Sequence, residues 1–175
     1  PDSYRRIDRE IAKFPAEHKA SAVMASLAIA QKQLGWLSKE VIEEVGDYLG
    51  MPAIAVYEVA SFYGMYDLEP AGRFKITLCT NLPCALSGAN RAAAHLKQKL
   101  GIGFGETTAD GCFSLKEGEC LGACGDAPVL LVNNKRMCVK MAPPALDALV
   151  DELRAAAGRG EGAPLAPASD RTEKA

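Results

Sequence analysis

The chain lacks the features that mark several large functional classes. Its longest uninterrupted apolar stretches fall well short of the roughly 18 residues needed for a membrane-spanning helix. Neither sign of charge dominates: 20 Lys plus Arg stand against 22 Asp plus Glu, a net charge of -2, which offers no basic field for nucleic acid or an anionic membrane surface. Gly101-Ile102-Gly103-Phe104-Gly105 follows a helix and has the wrong spacing for a dinucleotide fingerprint, so NAD has no recognisable seat here. Aromatic residues number only 11, and histidines only two, His18 and His95. Neither an export-type nor an Arg-rich, acid-poor leader is recognisable at the start. A reducing setting, a bacterial cytoplasm or an organelle interior, is therefore expected for the cysteines.

What the chain does have is six cysteines, four of them in two tight pairs. Cys79-Thr-Asn-Leu-Pro-Cys84 and Cys120-Leu-Gly-Ala-Cys124 are separated by 35 residues, and each follows a strand-like run and occupies a turn bearing Gly or Pro. Four soft anionic thiolates on two turns at neighbouring strand ends can converge on iron and sulfide. Competing chemistries differ in spacing. Structural zinc favours C-x2-C knuckles, and C-x4-C with C-x3-C lies at the edge of that pattern. No C-x-x-C is present for a dithiol oxidoreductase. A disulfide framework is unnecessary in a chain long enough to bury a core. A four-iron ferredoxin would show C-x2-C-x2-C, and a plant-type one would place cysteine where Ser87 stands. A Rieske centre needs two histidines beside its cysteines, but His95 lies eleven residues past Cys84 in a helical stretch.

The residues around the pairs carry a resemblance. CTNLPCALSGA (79–89), ECLGACGDAPVLLVNNK (119–135) and, upstream, EVASFYGMY (58–66) are similar to segments of the thioredoxin-like 2Fe-2S family, with the likeness covering residues 3–157. Members of that family serve as the small iron-sulfur subunit of NADH:quinone oxidoreductase (complex I), and as equivalents in NAD-linked hydrogenases and formate dehydrogenases. The resemblance implies that Cys79, Cys84, Cys120 and Cys124 ligate one 2Fe-2S cluster, and that Cys112 and Cys138 do not. It also implies that Cys79 ends one strand and Cys120 a neighbouring one, with each partner cysteine in the following loop. Gly122 and Gly125 would let the loop backbone approach the cluster closely. NADH and FMN would sit on a partner flavoprotein subunit that exchanges electrons with this cluster. Other iron-sulfur subunits of a peripheral arm would lie nearby, on the cytoplasmic side of a bacterial inner membrane or the matrix side of a mitochondrial one.

Hydrophobic periodicity independently outlines an α+β chain. Residues 1–70 read as a helical bundle: a short helix over 5–14 before Pro15, a second carrying Val23, Leu27, Ala30 and Leu34 before Gly35, a third between Ser38 and Gly50, and a fourth from Pro52 to about Ser61. Tyr57, Phe62, Tyr63 and Tyr66 crowd at the bundle's end, and Phe62 and Tyr63 are expected to pack between bundle and sheet, with a partner surface as the alternative. Residues 68–72 form a linker. Residues 71–157 follow in the order strand, helix, strand, strand, strand, helix, with strands at 74–78, 113–116, 129–132 and 137–139, and a helix from Ser87 to Leu100. This order is compatible with the thioredoxin-like architecture that the resemblance implies. Residues 158–175, rich in Gly, Pro, Ala and charge, read as an extended tail that would be disordered alone.

A cluster of two ferric ions, two sulfides and four thiolates carries -2, and one added electron makes -3. Amide dipoles then favour reduction, and nearby carboxylates oppose it. Asp126, two residues past Cys124, is one such carboxylate, although it also suits the turn before Pro128. Two function classes remain: a one-electron carrier within an NADH-oxidising complex, and an interaction module whose cysteines bind structural zinc.

Overall fold

The computed structural model describes residues 2–164. They divide into two compact units, one formed by the chain up to Pro70 together with Pro164, the other by Ala71–Ala163. Residues 165–175 of the expected tail lie outside the described residues.

Apolar residues at helical spacing build the first unit, and glycine ends two of its helices. Helix α1 spans Asp2–Ile11, and α2 spans Val23–Leu34 and stops at Gly35, whose φ of 88° is left-handed. Helix α3, Lys39–Leu49, begins at Ser38, whose hydroxyl accepts from the Val41 N–H at 3.3 Å, and ends at Gly50 with φ 69°. Helix α4 covers Ala53–Phe62 after Pro52. The stretch after Pro15 forms a tight 3-10 helix, Ala16–Ala22, which no apolar repeat announced. Leu27, Leu37, Ile42, Val45, Leu49, Val56 and Tyr66 meet in one core. Among the described residues no helix is long and apolar enough to cross a membrane.

The aromatic cluster differs from expectation. Only Tyr66 is interior, 3% exposed, with its hydroxyl donating to the Met24 carbonyl at 2.8 Å and burial pushing its pKa up to about 12. Phe62 is 79% exposed, and Tyr57 and Tyr63 are exposed as well, so Phe62 and Tyr63 are not interior packing residues. The reason lies in α4, which is apolar nearly all round. A single stripe, Val56 and Ala60 at i and i+4, faces the helical core and leaves Ile54, Tyr57 and Phe62 outside it.

Alternation builds the second unit. Strand β1, Phe74–Cys79, turns Phe74, Ile76 and Leu78 into the core. Helix α5, Leu82–Leu86, and helix α6, Ala89–Leu100, follow; then come β2, Glu106–Thr107, β3, Phe113–Gly118, β4, Leu130–Val132, β5, Arg136–Cys138, and α7, Pro143–Gly158. The sheet runs in the order β2-β3-β1-β4-β5. β1 and β3 are parallel, in register from Phe74 opposite Phe113 to Cys79 opposite Gly118, and the remaining pairs are antiparallel. Leu96 and Leu100 of α6 and Leu146, Leu149, Val150 and Leu153 of α7 pack onto the sheet's apolar side chains. Asn133 and Asn134, at φ 52° and 56°, make the tight turn between β4 and β5. The fold class is therefore α+β: a helical bundle followed by an α/β unit with a small mixed sheet.

Candidate metal centre

Parallel pairing brings the ends of β1 and β3 to the same end of the sheet, and both cysteine pairs hang from those ends. Cys79 is the last residue of β1, 1% exposed, and its N–H donates to the Val129 carbonyl at 3.1 Å. The chain does not then enter an open loop. Asn81 accepts from the Leu82 N–H at 2.9 Å and Pro83 lies in the first turn, so residues 82–86 wind into α5. This corrects the expectation of a loop: Cys84 sits on α5, which turns it inward to 1% exposure and leaves Leu82 and Leu86 68% and 80% exposed. Cys79, Cys84, Ala89 and Val129 form a small core of their own.

The second pair stands in the open. β3 ends at Gly118, where a Cβ would come within 2.7 Å of Thr77 Cγ2, so only glycine allows β3 this close to β1. Cys120 is exposed, and the chain doubles back through Gly122 at φ 76°, whose N–H points at Cys120 Sγ at 3.4 Å. Gly125 shows neither a positive φ nor a close neighbour in the chain, so glycine is not conformationally required there. Cys124, also exposed, opens a 3-10 turn that ends at Asp126.

Electrostatics links the four thiols. Burial first, and then a hydrogen bond with Cys79, pushes the Cys84 thiol up, against the opposing pull of the Val129 N–H; charge on Cys79 and Cys124 adds to the rise. A hydrogen bond with Cys120, followed by charge on Cys120, raises Cys124, and Cys79 contributes as well. Charge on neighbouring sulfurs thus makes the Cys84 and Cys124 thiolates harder to form, the condition that a cationic iron centre relieves. Among the described residues no three His, Cys, Asp or Glu side chains converge around a single ion position. The thiols stand instead as two pairs, Cys79 with Cys84 and Cys120 with Cys124. Two pairs of soft donors with amide N–H groups on their sulfurs is a set that fits a two-iron cluster.

Cys138 is buried in the large core opposite Leu130, and Cys112 packs half-buried against the same core, so neither joins the four. His95 pairs with Asp147 at 2.9 Å between α6 and α7.

Asp126 has a partner that spacing alone could not show. Lys140 Nζ lies 3.4 Å from its carboxylate, and the Lys140 N–H donates to the Asp126 carbonyl at 2.8 Å. Lys140 holds a left-handed φ of 54° to do so. Both side chains are more than half exposed, so the pair is screened and its two charges partly cancel at a distance. Asp126→Asn should therefore raise the midpoint potential by only about tens of millivolts, with iron content unchanged. A potentiometric titration checks this, and an unchanged or lowered potential removes Asp126 from the tuning of the site.

Fold and donor set together fit a thiolate-ligated redox protein built on a small mixed sheet. A family model described as thioredoxin-like [2Fe-2S] ferredoxin matches residues 7–154, and the chain belongs to that family. It is 44% identical over 150 residues to an NADH-quinone oxidoreductase subunit of Rhizobium meliloti (strain 1021), covering 86% of this chain and 88% of that one. It is 39% identical over 149 residues to NADH-quinone oxidoreductase subunit 2 of Thermus thermophilus, covering 85% and 82%. Among solved structures, an NAD+-reducing [NiFe]-hydrogenase in the H2-reduced state superposes with a TM-score of 0.64 at 24% identity, over 74% of this chain and 22% of that longer one. That likeness shows a shared fold. Family membership carries an iron-sulfur cluster and electron transfer with it.

Proposed function

We propose that this chain is the one-electron-transfer 2Fe-2S subunit in the NADH dehydrogenase module of a respiratory complex I, with Cys79, Cys84, Cys120 and Cys124 as its ligands. The observation that carries the reading is the pairing of those four thiols at adjacent parallel strand ends, in a chain 44% identical over most of its length to a relative named as an NADH-quinone oxidoreductase subunit. A bound cluster supplies one-electron exchange. The chain's own residues do the rest. Cys79 and Cys84 are buried in a small core with Ala89 and Val129, while Cys120 and Cys124 are exposed where a partner can approach. N–H groups of Val129 and Gly122 reach thiol sulfurs and favour negative charge on them.

The electron partner in this reading is FMN on a separate flavoprotein subunit that also binds NADH, with further iron-sulfur subunits of a peripheral arm beyond it. The arm would lie on the cytoplasmic side of a bacterial inner membrane or the matrix side of a mitochondrial one. Complex I is favoured over a hydrogenase host because the NADH-quinone oxidoreductase relatives match across most of both chains, whereas the hydrogenase match is 24% identical over 22% of its chain. NADH should leave the visible absorption of the isolated, iron-loaded chain unchanged, and bleaching should appear only when the FMN-bearing subunit is added. Rapid bleaching of the single chain by NADH defeats the proposal. Copurification with a nickel or molybdenum subunit would transfer it to a hydrogenase or formate dehydrogenase.

A further inference from the structure

The two ligand-bearing segments are joined by more than the strand ladder. Thr80 and Asn81 follow Cys79 directly, and Glu117 and Glu119 flank Gly118 just ahead of Cys120. Beyond the last register pair, Cys79 opposite Gly118, the Thr80 N–H donates to the Gly118 carbonyl at 3.2 Å. Two side-chain rungs continue the connection: Thr80 Oγ1 donates to Glu117 Oε1 at 2.8 Å, and Asn81 Nδ2 donates to Glu119 Oε2 at 3.3 Å. Both acceptors are carboxylates and both donors are neutral, so each rung is a charge-assisted hydrogen bond that leaves a negative charge in place.

We propose that Glu117 and Glu119 are positioning residues which, through Thr80 and Asn81, clamp the two ligand loops together and hold the four thiols at cluster-binding separation. This rests on the reading that those thiols hold the cluster. The physical need is plain from the exposures. Cys79 and Cys84 are anchored by burial, but Cys120 and Cys124 are exposed, on a loop of which only Leu121 and Ala123 pack, half-buried, against the first pair's small core. Without the rungs, that loop is tied to the first pair through the backbone at Gly118 and the half-buried Leu121 and Ala123, neither of which fixes the direction of the Cys120 and Cys124 side chains. Asn81 has a double task. Its Oδ1 accepts from the Leu82 N–H and starts α5, which carries Cys84, while its Nδ2 reaches across to Glu119. One side chain thus links the start of the Cys84 helix to the residue before Cys120.

The test exchanges donor and acceptor. Asn81→Asp keeps an oxygen to cap α5 but sets a carboxylate against Glu119, whereas Asn81→Asp with Glu119→Gln restores a donor-acceptor pair at the wild-type net charge. In the iron-loaded protein, loss of visible absorption to a chelator should be about tenfold faster for Asn81→Asp and return to within about twofold of wild type in the exchanged pair. The second rung is examined independently. Glu117→Ala should speed cluster loss several-fold, and Glu117→Gln, which keeps an acceptor oxygen for Thr80, should recover most of it. Glu117→Gln should also raise the midpoint potential, since it removes a negative charge beside the ligands. Wild-type retention in both Asn81→Asp and Glu117→Ala overturns the clamp, as does an exchanged pair no better than Asn81→Asp alone. A wild-type chain that binds no iron and sulfide sinks the cluster reading itself, a result separate from any variant's behaviour.

Discussion

Alanine in place of Cys79, Cys84, Cys120 or Cys124 is expected to abolish or severely deplete the bound cluster, while Cys112→Ala and Cys138→Ala keep iron and sulfide at wild-type content. Four thiolates satisfy two irons in pairs, and removing one leaves an iron short of a ligand. The loss should be as severe for exposed Cys124 as for buried Cys84, because the effect follows coordination and not packing. Cys112 and Cys138 behave differently for a structural reason. Both pack against the large core between sheet and helices, and Cys138→Ala deletes one buried sulfur at a cost of about 1 kcal/mol in stability. Iron and acid-labile sulfide per folded chain decide the matter. A folded Cys138→Ala protein without cluster would overturn the ligand assignment.

Which parts of this architecture were legible follows from where the information sits. Helix ends marked by a local chemical device were readable: Gly35 and Gly50 take left-handed φ where the apolar repeats stop, and Ser38 caps where its repeat starts. Strand β1 was readable because its alternation is strict, and Asn133-Asn134 because a two-residue turn with positive φ favours asparagine. Elements too short to show a period were missed. Helix α5 has five residues, less than two turns, and its signal lay only in Asn81 and Pro83; two-residue β2 and the 3-10 stretch Ala16–Ala22 had no signal at all. Surface status was the other failure. On α4 almost every residue is apolar, so periodicity could not say that Val56 is buried and Phe62 exposed.

The same division runs through the site. The cysteines announce themselves by spacing, but what brings them together is the parallel pairing of strands with two helices between them in the chain, a non-local fact. Lys140 beside Asp126, and the rungs from Thr80 to Glu117 and from Asn81 to Glu119, are likewise contacts between residues 14 to 38 positions apart. No local pattern encodes them. They exist because the β1–β3 ladder and the β4–β5 hairpin deliver those residues to one end of the sheet.

Leu78→Ala should be strongly destabilising, and Leu82→Ala, four positions along, nearly neutral. Leu78 is fully buried in the central strand, one residue before Cys79, and lies opposite Glu117 on one side and Leu130 on the other. Truncating it removes three buried carbons and leaves a cavity that the paired strands cannot easily close, costing roughly 2–5 kcal/mol. For a chain of this length that corresponds to a fall in melting temperature of roughly 5–15 °C. Leu82 is 68% exposed on α5, where alanine suits a helix at least as well, so its truncation should stay within about 0.5 kcal/mol. Far-UV circular dichroism during heating gives both values, and visible absorption of the loaded protein should fall in step with unfolding in Leu78→Ala, since the strand that weakens is the one that carries Cys79. A Leu78→Ala protein melting within a degree of wild type, or a Leu82→Ala protein as unstable as Leu78→Ala, would contradict the burial on which β1's role as the site's anchor depends.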